Sequence, residues 1–111
     1  MSKGDGAEVL ERLYATIRAR RGASAKTSYT AQLFQGGKAK IARKLGEEGL
    51  EAVLATQAGD KKGLVAESAD VLYHLLVAWA HAGIAPAEVW AELARREGTS
   101  GIAEKRSRKK V

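Results

Sequence analysis

LVAESADVLYHLLVAWAHA, residues 64–82, decides how this chain folds. Advanced by about 100° per residue, Leu64, Val65, Val71, Leu72, Tyr73, Leu75, Leu76, Val77 and Trp79 point in nearly every direction. The stretch is therefore a helix that is apolar almost all round and has to be buried on most sides. The longest strongly apolar run, Val71 to Ile84, is too short, and too interrupted by His74 and His81, to cross a bilayer, so a protein without a membrane partner is expected. One layer of helices in a chain this small hardly covers such an element. Pairing with a second copy, a homodimer, is the economical way to complete the bundle.

Working outward, Asp60 is a natural N-cap and Gly83 a natural stop, which predicts a helix from near residue 60 to Ala82. Before it, Lys38 to Gln57 reads as a long helix stopped by Gly59, and Ala31 to Phe34 as a short helical turn closed by Gly36 and Gly37. Residues 21–30 read as a polar loop. Val9, Leu10, Leu13, Tyr14 and Ile17 give a first helix over about Ala7 to Arg20. Pro86 opens a last one running to about Glu97. With one proline, one phenylalanine and 45% apolar residues among 111, the expectation is one all-α domain over residues 7–104, with four main helices. Residues 1–6 are expected to be disordered and to lack the apolar stretch of a signal peptide, and 105–111 to be a basic tail.

Charge and cysteine content narrow the function classes. Of the net +6, +4 lies in residues 101–111, so the body is nearly balanced and offers no dedicated nucleic-acid face. The absence of cysteine removes disulfides, thiolate metal ligands and a cysteine nucleophile, and fits a reducing cytoplasm. Ser68 has no base beside it in the pattern, so a serine nucleophile is not expected.

What remains is acid in apolar places. On the helix of residues 61–82, Glu67, Asp70, His74 and His81 share one stripe, the polar seam of a greasy element. On the helix before it, Glu48 falls in line with Ile41, Leu45, Ala52 and Ala55, with Glu51 on its flank. Pairs of like charge at helical spacing repel, and burial adds a desolvation cost. A hard divalent cation such as magnesium reverses that sign, since it takes oxygen ligands and shares its remaining positions with phosphates. Lys40 and Lys44 lie on the side of Glu48 and Glu51, where phosphate oxygens would meet both metal and ammonium. An ordinary solvated face laced with salt bridges would explain Lys40, Lys44, Glu47, Glu48 and Glu51 alone. It does not explain an acid inside the apolar stripe or a second acid pair on a buried helix. His74 and His81 read as packed core residues, and Tyr73, Trp79 and Trp90 as core or interface anchors.

Glu47-Glu48-Gly49-Leu50-Glu51 followed by Glu67-Ser68-Ala69-Asp70 resembles the EExxE and ExxD signature of the MazG-like all-α nucleotide pyrophosphohydrolases. Ser28-Tyr29-Thr30, the run Gly36 to Glu48, the run Asp70 to Leu76 and the run Arg95 to Gly101 are more pointed. Together they resemble the phosphoribosyl-ATP pyrophosphohydrolase family over about Leu10 to Ser107. The resemblance implies hydrolysis of phosphoribosyl-ATP to phosphoribosyl-AMP and pyrophosphate, the second step of histidine biosynthesis, by a magnesium-dependent homodimeric helical bundle. It implies that Glu48, Glu51, Glu67 and Asp70 bind metal and that Glu47 joins them or orients a water. It also implies that Lys40 and Lys44 meet phosphates, and that Ser28, Tyr29 and Thr30 lie near substrate. Ser68, where a small apolar residue is more usual, and the Lys109-Lys110 extension depart from the pattern. The competing readings are a general nucleoside-triphosphate pyrophosphohydrolase and a non-catalytic helical interaction module.

Overall fold

The computed structural model describes residues 6–109, so the expectations for residues 1–5 and 110–111 fall outside the described residues. The described chain is helical without strands: α1 Glu8–Ala19, α2 Tyr29–Ala58, α3 Lys61–Ala82, α4 Pro86–Arg96 and α5 Gly101–Lys109. Long α2 and α3 form an antiparallel hairpin, and α1 packs on α3.

The hairpin turn is built as the sequence implies. Gly59 takes a left-handed conformation at φ 68°, which a residue with a Cβ adopts only with strain, and Asp60 caps α3 by accepting from the Gly63 N–H at 2.9 Å. The start of α2 differs from expectation. Tyr29 to Gly36 and Lys38 to Ala58 are two helical stretches separated by a break at Gly37 (φ 71°, ψ −166°), where the glycine stop before a long helix is expected, but the first stretch begins earlier. A single glycine absorbs the whole break. Ser28 begins the first stretch as its N-cap, its buried hydroxyl accepting from the Ala31 N–H at 3.1 Å. The expected loop therefore ends two residues earlier, and Tyr29 and Thr30 stand on the first helical turn.

The second difference is a fifth helix beyond the four expected. Ser100 accepts from the Ala103 N–H at 3.0 Å and starts α5, which takes in residues 105–109 of the expected tail. The acid among those basic residues ties the helix down. Glu104 is only 7% exposed and receives Arg95 Nη2 on both carboxylate oxygens at 3.0 Å.

Ile17, Leu33, Ile41, Leu76, Val77 and Ala80 form the core, flanked by Tyr14, Phe34, Tyr73 and Trp79. Tyr14 donates from its hydroxyl to the Ile84 carbonyl at 2.7 Å, and Trp90 stacks edge-on to Trp79 while its Nε1 donates to Glu11, as expected of anchoring aromatics. All the α3 residues of this core lie in its C-terminal half. Towards the hairpin turn the apolar surface of α2 and α3 lies open: Val65 is 72% exposed, Val53 58% and Leu72 41%, with Leu50 and Leu54 beside them. One copy of the chain thus leaves α3 half covered. No helix of the described residues is long and apolar enough to cross a membrane.

Candidate metal centre

In the half of the hairpin with the open apolar surface, α2 and α3 bring three acids together. Glu48 from α2 and Glu67 and Asp70 from α3 each offer a carboxylate oxygen, all within 4.8 Å of one another. Among the described residues this is the only such group of possible metal ligands. Glu48 and Glu67 are half-buried and Asp70 is exposed. Desolvation first, then the charges of Asp70, Glu48 and Glu51, push the Glu67 carboxyl above its ordinary value. Glu51 stands outside the trio but close enough for its charge to act on Glu67. These are oxygen donors of one sign with no lysine or arginine paired to them among the described residues, the donor chemistry of a hard divalent cation.

The other predicted residues sort differently. Glu47 turns to the neighbouring cations, 3.4 Å from Lys44 Nζ and 3.9 Å from Arg43 Nε. Lys44, half-buried, is thereby held by Glu47 and not by the trio, while the half-buried Lys40 folds its aliphatic stem over Gly36. Ser28 is occupied as a cap.

The sequence pattern of the phosphoribosyl-ATP pyrophosphohydrolase family matches residues 10–97, a span that holds the whole hairpin and all three acids. The chain belongs to this family. Three proteins named phosphoribosyl-ATP pyrophosphatase are similar to it along nearly their whole length. That of Azospirillum brasilense is 62% identical over 93% of either chain. That of Paramagnetospirillum magneticum is 58% identical over 93% of this chain and 94% of its own, and that of Rhodospirillum rubrum 54% identical over 99% and 94%.

Within this family member, α3 carries a second polar group one turn beyond Asp70. His74 is buried, its Nδ1 2.7 Å from the Asp70 carbonyl oxygen and its Nε2 3.3 Å from the Tyr29 hydroxyl. Tyr29 and Tyr73 stack with ring centroids 6.2 Å apart, and Tyr73 shares a short hydrogen bond with Thr30. Burial pushes the Tyr73 phenol up, so it stays protonated across the neutral range. His74 is a hydrogen-bonded core residue, as its place on an apolar helix implies. Its link to Tyr29 is new. Nothing in the sequence relates positions 45 residues apart, and only the kinked start of α2 brings them together. His81 stacks on Phe34 with centroids 6.4 Å apart, away from the acids, so the single stripe of the helical projection splits into separate environments.

Proposed function

We infer that this chain hydrolyses phosphoribosyl-ATP to phosphoribosyl-AMP and pyrophosphate, the second step of histidine biosynthesis. The observation that carries the reading is the trio Glu48, Glu67 and Asp70, standing inside the stretch that matches the family pattern. Relatives bearing the name of that activity, at 54–62% identity, support it.

Magnesium is the ion that suits the donors. Glu48, Glu67 and Asp70 would hold it, with Glu51 adding charge at the rim or a further ligand. Bound there, the ion supplies charge neutralisation for the phosphates and activation of water. The chain's own part is positioning. The two helices fix the acids with their backbones, and the Gly59-Asp60 turn fixes the helices. Glu47 pairs with Lys44, and this cation and Lys40 would meet phosphate oxygens. Tyr29 and Thr30, on the first turn of α2 and hydrogen-bonded to α3, supply the wall on the substrate side, with Ser28 fixing that turn. No covalent enzyme intermediate is required, because displacement by water at the anhydride needs alignment and electrostatic stabilisation only.

The open apolar surface of Leu50, Val53, Leu54, Val65 and Leu72 supports a homodimer in which a second copy covers α2 and α3 next to the acids. A substrate built from ATP places the reaction in the cytoplasm. The test is pyrophosphate release from phosphoribosyl-ATP, with and without a chelator, beside a panel of nucleoside triphosphates. Release that is magnesium-dependent and strongest with phosphoribosyl-ATP is expected. Equal turnover of the panel would make this a general nucleotide pyrophosphohydrolase, and no release at all would leave a helical interaction module.

A further inference from the structure

The acid trio does not account for the histidine buried beside it. His74 is 5% exposed, on a helix face where leucine or valine would pack without cost, and both its ring nitrogens are engaged. A carbonyl oxygen can only accept, so Nδ1 carries the proton and donates it to Asp70 O. In the neutral ring this leaves a lone pair on Nε2, and the Tyr29 hydroxyl donates to it. The tautomer is thus set by the backbone of the same helix that presents Asp70.

Tyr29 is the partner that gains. It stands at the start of α2 and is 44% exposed, a position where a tyrosine would ordinarily swing about its two side-chain torsions. Here its hydroxyl is tied to His74 and its ring lies against Tyr73, within 24° of parallel. An aromatic surface open to solvent is thus tied to the residue one helical turn along α3 from Asp70. Aromatic faces held in this way stack on nucleobases.

We propose that His74 is a positioning residue for the substrate's purine: it locks Tyr29 so that the exposed part of the ring stacks on the base while the phosphates lie at the acid trio. This rests on the nucleotide substrate inferred above. His74 itself touches neither substrate nor metal in this role. It converts a mobile surface tyrosine into a fixed wall, and its effect falls on substrate binding.

Kinetics of pyrophosphate release from phosphoribosyl-ATP by the full chain test this with four variants. His74→Asn keeps a donor for the Asp70 carbonyl but cannot reach Tyr29. His74→Gln places an amide oxygen near the position of Nε2 and can still accept from Tyr29. Tyr29→Phe removes the hydroxyl alone, and the fourth variant combines Tyr29→Phe with His74→Asn. The expectation is KM raised about fivefold in His74→Asn and in Tyr29→Phe, the worth of one hydrogen bond. The loss falls on KM more than on kcat, His74→Gln stays near the wild type, and the double variant is no worse than either single one. Unchanged KM in Tyr29→Phe, additive losses in the double variant, or equal losses in Asn and Gln would overturn the proposal. Should His74→Asn fail to fold, Tyr29→Phe and His74→Gln decide it alone. If the wild type releases no pyrophosphate, the activity assignment falls and this proposal with it. Release with KM indifferent to these substitutions removes only the proposal.

Discussion

Two groups of carboxylates in this chain have opposite surroundings. At the hairpin, Glu48, Glu67 and Asp70 crowd within 4.8 Å, and the Glu67 carboxyl is pushed up by desolvation and by its acidic neighbours. Between α4 and α5, Glu92 and Glu104 meet Arg95, Arg96 and Arg108. Arg95 lies 2.7 Å from Glu92 and 3.0 Å from Glu104, and hydrogen bonds from Arg95 and Arg96 bring the Glu92 carboxyl down to about 2. The same side-chain chemistry is complete in one place and incomplete in the other. A carboxylate group whose counter-charges are built in serves the fold, and one whose counter-charges are missing asks for a cation from outside. That contrast, more than the presence of acids, is the reason for proposing the hairpin as the metal site.

The sharpest way to break the contrast is to remove charge at the hairpin while keeping volume. Glu48→Gln and Asp70→Asn are expected to lower pyrophosphate release at least about 100-fold while circular dichroism stays that of the wild type. Magnesium should raise the Tm of the wild type and not of these variants, since an ion that binds only the folded state stabilises it by mass action. Variants that retain activity and still gain Tm with magnesium would remove the metal assignment.

Breaking the compensated group should do the reverse. Arg95→Ala strips the closest partner from the buried Glu104 and is expected to lower the denaturant midpoint, with pyrophosphate release retained. The Glu92 pairs with Arg95 and Arg96 along α4 should also persist far into acid. A Glu92 carboxyl lowered to about 2 stabilises the fold at every pH above its ordinary value of 4.5, and that contribution is lost only as pH falls through about 2.

The smallest effect is the most diagnostic in sign. Because Glu67 is raised in the fold, its ionised form opposes folding. Its favourable contribution is complete below 4.5 and fades as pH rises through the folded value. In metal-free protein, Glu67→Gln should therefore raise Tm slightly at pH 7, with the gain vanishing towards pH 4, while activity is lost. A fall in Tm at pH 7 would mean that Glu67 is compensated after all, and the two clusters would no longer differ in kind.

Much of this was legible along the chain because it is local. Caps and stops sit beside the helices they bound, so Asp60, Gly59, Gly83 and Pro86 mark the ends of α2, α3 and α4 without reference to anything distant. The acids could be singled out because Glu48 interrupts an apolar stripe and Glu67 and Asp70 interrupt an apolar helix. Less is legible where one residue's role depends on another far away. Tyr29 and Thr30 read as loop from their polar neighbours, whereas they stand on the first helical turn of α2 and hydrogen-bond to α3. Counted as charge, residues 105–111 are a tail. Glu104, held by Arg95, belongs to a helix that runs on to Lys109.

Helical periodicity and cap chemistry determined the all-α hairpin and the acids on its facing helices, since both act within a few residues. Only the tertiary structure decided that Glu48 meets Glu67 and Asp70, and that His74 grips Tyr29. Those contacts depend on the rotation of α2 about its own axis and on the bend at Gly37, which are set when the two helices pack and are not properties of either segment alone.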